Sequence, residues 1–85
     1  MKLKEGFVLR KMPDMNIVVP TGENIKTYRN AIILNDTAAF IYEAIGNGND
    51  VTESLMKEYG IDEAHAAAAA ERTIADFREA GLIED

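Results

Sequence analysis

Cysteine is absent from the 85 residues and histidine occurs once, at His65. Without thiols there is no disulfide framework and no thiolate metal site, and one imidazole cannot complete a structural zinc set or a His-based nucleophilic machine. Catalysis therefore starts from poor odds, and neither a metal nor another cofactor is expected. No apolar run approaches the roughly 20 residues of a membrane span, and the start Met1-Lys2-Leu3-Lys4-Glu5-Gly6 lacks the apolar core of a signal peptide. A cytoplasmic location with no membrane partner is the expectation. Positive charge is scarce where a nucleic-acid surface would need it. From residue 50 onward ten acidic side chains face three basic ones, whereas the first 49 residues hold five acidic and six basic. Phosphate contacts draw their affinity from Lys and Arg, so half of this molecule would repel a nucleic acid.

What is present is the composition of a globular chain, 47% apolar and 28% charged, well away from the low-hydrophobicity signature of disorder. A chain of this length removes only about 60–65% of its unfolded surface from water, enough for one small core. One domain spanning residues 1–85 is expected.

The first third alternates like a strand. Phe7, Leu9 and Lys11 interleave with Val8, Arg10 and Met12; Pro13-Asp14 supplies turn chemistry; Met15, Ile17 and Val19 interleave with Asn16 and Val18 up to Pro20. The pattern predicts a hairpin with strands at about 7–12 and 15–19. A loop follows from Pro20, which cannot donate to a ladder, through Gly22 and on past Ile25 to Asn30. The short β-branched run Ala31-Ile32-Ile33-Leu34 predicts a third strand. From Asn35 the period becomes helical. Ala38, Ile41, Tyr42 and Ile45 recur until Gly46-Asn47-Gly48, predicting a helix at about 36–46 capped by Asn35 or Asp36. Asp50-Val51-Thr52-Glu53 fits a capping box, and Gly60 is placed for a left-handed cap, so a second helix covers about 51–59. Asp62 caps a third, alanine-rich helix at about 63–80 that stops at Gly81. The fold class is α+β, winged-helix-like: an N-terminal three-stranded antiparallel sheet followed by three helices. Its core should comprise Phe7, Leu9, Ile17, Val19, Ile33, Leu34, Ile41, Ile45, Leu55, Ile61, Ile74, Phe77 and Leu82.

Several residues invite a functional reading that a plainer one outweighs. Asn35 and Thr37 cap a helix start. Tyr42 is a core aromatic whose hydroxyl reaches the rim. His65 and the acidic pairs Glu71 with Asp76 and Asp62 with Glu63 belong to a solvated face. Met12 and Met15, beside the hairpin turn, either cover core or form a soft contact surface. A winged helix suggests DNA binding by analogy, yet the third helix offers Arg72 and Arg78 against Asp62, Glu63, Glu71, Asp76 and Glu79.

The phrases Gly6-Phe7-Val8-Leu9-Arg10, Val18-Val19-Pro20-Thr21-Gly22-Glu23, Ile33-Leu34-Asn35-Asp36-Thr37-Ala38-Ala39-Phe40-Ile41-Tyr42, Tyr59-Gly60-Ile61-Asp62 and Phe77 with Gly81-Leu82-Ile83 resemble the PqqD family, named after the pyrroloquinoline quinone pathway. The resemblance covers nearly the whole chain, and Leu34-Asn35-x-Thr37-x-x-x-Ile41-Tyr42 is its most specific part. Ala39, where many members carry Gly, and the alanine-rich third helix depart from the pattern. The resemblance implies a non-enzymatic peptide chaperone, the recognition element that captures the leader segment of a ribosomally made precursor peptide and presents it to a modifying enzyme, commonly a radical S-adenosylmethionine protein. It also implies a groove between the third strand and the third helix. An added peptide strand needs a backbone edge and a wall. Ala31, Ile32, Ile33 and Leu34 would be the edge, and Ala69, Arg72, Thr73 and Asp76 the wall, with Ala69 allowing close approach and Arg72 pairing with an acidic leader residue. The same edge would also allow two copies to pair as a homodimer. A DNA-binding regulator and a dimerising scaffold without a peptide ligand are the competing readings.

Overall fold

The computed structural model describes residues 1–27 and 31–85. The chain opens with a short strand, β1 (Lys2–Leu3), followed by β2 (Phe7–Lys11) and β3 (Asn16–Pro20). The hairpin between β2 and β3 is closed by the Met12 N–H donating to the Met15 carbonyl at 2.8 Å, with Pro13 and Asp14 as the turn. A short helical turn, α1 (Asn24–Thr27), leads toward β4 (Ile32–Leu34), which pairs antiparallel with β3 and gives the sheet order β2-β3-β4. Three helices follow, α2 (Asp36–Gly46), α3 (Val51–Tyr59) and α4 (Glu63–Glu79), and the chain ends in β5 (Ile83–Glu84). The α+β, winged-helix-like architecture is as the sequence indicates.

Helix boundaries follow local chemistry. Asn35, Asp50 and Asp62 each accept the backbone N–H three residues on at 2.8 Å, satisfying a donor that the first turn leaves orphaned. Gly60 ends α3 at φ 63°, and its N–H donates to the Met56 carbonyl at 3.0 Å. At the end of α4 the Leu82 N–H reaches the Phe77 carbonyl at 2.9 Å, which turns Leu82 back into the core, where it is fully buried.

Two segments differ from the sequence reading. The expected loop after Pro20 winds into α1, because the Asn24 side chain is anchored to the Glu5 and Gly6 carbonyls at 3.0 and 3.1 Å, and a sequence window cannot contain that tertiary contact. Residues 28–30 of that stretch lie outside the described residues. The termini also pair: β1 and β5 form a two-stranded antiparallel ribbon with Lys2 opposite Glu84, extended by the Lys4 N–H donating to the Leu82 carbonyl at 2.8 Å.

The sheet phase corrects the expected core. Ile17, Val19 and Ile33 do not face the helices: Ile17 and Val19 are half-buried on the outer face, and Ile33 is 69% exposed. The buried residues of β3 are Asn16 and Val18, and β4 buries Leu34. Side chains alternate along a strand, so adjacent Ile33 and Leu34 cannot both point inward. In β3 the polar Asn16 suggested the opposite phase, since Ile17, Val18 and Val19 are apolar on both faces. Asn16 tolerates burial because its amide donates to the Asp36 carboxylate at 2.8 Å and to the Leu34 carbonyl at 3.3 Å. The rest of the expected core holds. Ile41, Ile45, Leu55, Phe77 and Leu82 are buried, while Phe7, Leu9, Ile61 and Ile74 pack partly buried against them. Ala66 and Ala70 of α4 are buried too, so the alanine-rich stretch brings helix backbone close to the core as well as favouring helix.

Candidate functional site

The site begins with the backbone of β4. Hydrogen-bonded and non-hydrogen-bonded pairs alternate along an antiparallel ladder. The Met12–Met15 closure at one end of the hairpin and the Thr21 N–H to Gly6 carbonyl bond, 2.8 Å, at the other make Arg10–Ile17 and Val8–Val19 the bonded pairs. Asn16 and Val18 therefore turn their backbone groups toward β4, opposite Leu34 and Ile32. Ile33, between them, points its N–H and C=O away from the sheet. β4 has β3 as its sole sheet neighbour among the described residues, so that edge is open. Edge groups of this kind accept an extended chain by ladder formation.

Alongside the open edge lies a cleft of about 500 Å³. One bank is Ile32, Ile33 and Leu34 with the first turn of α2, and the other is the stripe Ala69, Arg72, Thr73, Asp76 and Ala80 of α4. Leu34 and Phe77 form the buried floor, and Phe77 is held by Tyr42 in an edge-to-face contact with centroids 5.8 Å apart. Burial pushes the Tyr42 hydroxyl pKa above its ordinary value. Tyr42 itself opens onto a smaller hollow with Leu3 and Leu9 on the far side.

Seven of the eight residues singled out in the sequence line this one cleft: Ile32, Ile33, Leu34, Ala69, Arg72, Thr73 and Asp76. Ala31 is exposed just before β4 and does not line it. Thr73 and Ala69 are half-buried, and Arg72 and Asp76 stand exposed on the rim. Among the described residues neither Arg72 nor Asp76 is ion-paired, whereas Arg78, the other cation of α4, is engaged by Asp85 at 2.9 and 3.0 Å. Asn35, Thr37, Ala38 and Ala80 also line the cleft; the sequence reading gave Asn35 and Thr37 only a capping role and did not single out Ala38 or Ala80. Their signals were present: a single residue, Asn35, separates β4 from α2, which forces the first turn to the cleft mouth, and Ala80 continues the i, i+4 stripe from Asp76.

His65 and Asp62 are exposed and bonded to each other, Nδ1 to Oδ1 at 2.7 Å, and neither lines the cleft. Among the described residues no group of three or more acidic or histidine side chains is disposed to hold a metal ion. None of the described helices is long and apolar enough to cross a membrane.

The family model for PqqD, described as coenzyme PQQ synthesis protein D, matches residues 20–83, which include β4, all three long helices and both banks of the cleft. The chain belongs to the PqqD family. Among solved structures, one described as TbiB1 in complex with the TbiA(beta) leader peptide matches this PqqD-family chain with a TM-score of 0.78, over 99% of this chain and 95% of that one. Identity between the two is 14%, so the likeness is one of fold. No curated protein matches the sequence.

Proposed function

We propose that this PqqD-family chain is a non-catalytic binding module that captures the leader segment of a ribosomally synthesised precursor peptide as an additional strand on β4 and presents it to a modifying enzyme, a radical S-adenosylmethionine protein. The observation that carries the reading is the coincidence of two features: the outward backbone of Ile33 and the cleft of about 500 Å³ that runs beside it. The first offers ladder hydrogen bonds that any sequence can make. The second receives side chains and gives selectivity. Membership of the PqqD family and a shared fold with a protein solved in complex with a leader peptide support it. The DNA reading loses ground because Arg78 is engaged by Asp85, which leaves Arg72, among the described residues, as the one arginine of α4 without an ion pair beside five acidic residues of that segment.

The test is an NMR titration with synthetic peptides that copy the leader segment of the cognate precursor. Amide shifts should gather at residues 31–35 and along one side of 65–76, and Arg72→Glu should weaken binding while the circular dichroism spectrum stays unchanged. Shifts confined to the Met12–Met15 turn would move the site to the hairpin tip. Self-pairing of the β4 edge would appear as a dimer in sedimentation that the leader peptide dissolves.

A further inference from the structure

The open edge and the rim charges together say what kind of segment fits. Ile33 is the residue whose backbone faces outward, so a strand added antiparallel places one of its residues directly opposite Ile33 in a hydrogen-bonded pair. Opposite residues share a sheet face. That central residue lies on the outer face, beside an isoleucine that is 69% exposed and next to Ile17 on the neighbouring strand. An apolar β-branched side chain there would cover Ile33. Its two neighbours in the peptide then point the other way, into the cleft and toward α4.

Those two neighbours are about 6.7 Å apart along an extended chain. Arg72 and Asp76, one helical turn apart on the cleft rim, are separated by about 6 Å along the α4 axis. The two repeats differ by less than an ångström, about 6.7 Å against about 6 Å. The pair is also free to be used: Arg followed by an acid four residues on is the less favourable order on a helix, and among the described residues no ion pair joins Arg72 and Asp76 to each other or to another side chain.

Resting on the strand-addition reading, we propose that the recognised segment is an extended triplet with opposite charges flanking a β-branched apolar residue, the acid meeting Arg72 and the base meeting Asp76. Such a ligand is neutral across the triplet. It gains two contacts without the repulsion that a purely acidic segment would meet from a chain of net charge −6. The order of acid and base along the peptide is then dictated by its direction along the edge, so Arg72 and Asp76 act as a register and polarity check on a ladder that is otherwise indifferent to sequence.

The probes are four blocked heptapeptides with Thr-Thr flanks and the centres Glu-Val-Lys, Lys-Val-Glu, Glu-Val-Glu and Lys-Val-Lys, titrated by NMR into the wild-type chain and into the double variant Arg72→Glu with Asp76→Arg. The double variant keeps the net charge, so the long-range field is the same and only the local order is inverted. One mixed-charge order should bind about fivefold more tightly than the other three peptides, and the double variant should invert the preference between the two mixed orders by a smaller factor, because its acid-then-base order favours an ion pair within the helix. Arg72→Gln, a milder change, should reduce the difference to the share that Asp76 contributes. If residues 31–35 shift with all four peptides at affinities within about twofold, strand addition stands and the charge order is overturned. If no peptide shifts residues 31–35, the strand-addition reading falls and this one with it.

Discussion

The buried Asn16 amide donates to the Asp36 carboxylate at 2.8 Å, joining the second strand of the hairpin to the first residue of α2 across twenty positions of sequence. The same amide reaches the Leu34 carbonyl at 3.3 Å, so one side chain ties β3 to the strand that forms the open edge and to the helix that follows it. Asn16→Ala removes both bonds and leaves a polar site with fewer partners. We expect a loss of about 1–3 kcal/mol in urea unfolding, with amide shifts spreading to Leu34 and Thr37. A loss indistinguishable from zero would mean that the network is decorative.

Burial separates apolar positions that look alike in sequence. Leu55→Ala should cost about 2–5 kcal/mol and Phe77→Ala about 3–5 kcal/mol, since both side chains are nearly fully buried. Ile33→Ala should fall within about 0.5 kcal/mol of wild type, because its side chain lies on the open face. Denaturant midpoints of the three variants check the ordering, and an Ile33→Ala loss comparable to Leu55→Ala would invert the sheet phase described above.

Gly6 sits at φ 90°, and a methyl group there would run into the Asn24 amide that is bonded to the Glu5 and Gly6 carbonyls. Gly6→Ala should therefore cost about 1–3 kcal/mol through backbone strain and the displaced amide. In an Asn24→Ala background the same substitution should cost less, because the clash is gone and only the strain is left. Equal costs in the two backgrounds would show that Asn24 does not sense Gly6.

Acid should weaken α4 from its N-terminus. The His65 backbone N–H, and then its ring, hold the Asp62 carboxyl below the usual carboxylate pKa. A group whose pKa is lower folded than unfolded adds stability that is fully present above its unfolded value, about pH 4, and is lost as pH falls through the folded value. Asp85, lowered by its hydrogen bonds to Arg78, carries the same sign. Asp62→Asn keeps a capping acceptor without a titrating group. Urea midpoints measured from about pH 5 to pH 2 should fall less steeply for Asp62→Asn than for wild type, and parallel curves would exclude a contribution from this cap.

The features that depend on near neighbours in the chain were legible from residue order alone. Asp50 with Glu53, Gly60, and Asp62 with His65 meet within one helical turn, so their pattern is the interaction, and α3 begins and ends, and α4 begins, where those residues stand. The stripe Arg72–Asp76 was likewise readable, because a helix of known period has known faces. Tertiary structure decided the rest. Which face of β3 is buried could not be read from Ile17-Val18-Val19, which is apolar on both sides, and it was settled by Asn16 finding partners in Leu34 and Asp36. That phase determines that Leu34 floors the cleft while Ile33 turns its side chain to the outer face. The ladder register set by the Met12–Met15 turn leaves the Ile33 backbone without a sheet partner among the described residues. A strand's partners lie far away in sequence, so its phase is a property of the assembled sheet, whereas a helix carries most of its own hydrogen bonds within itself.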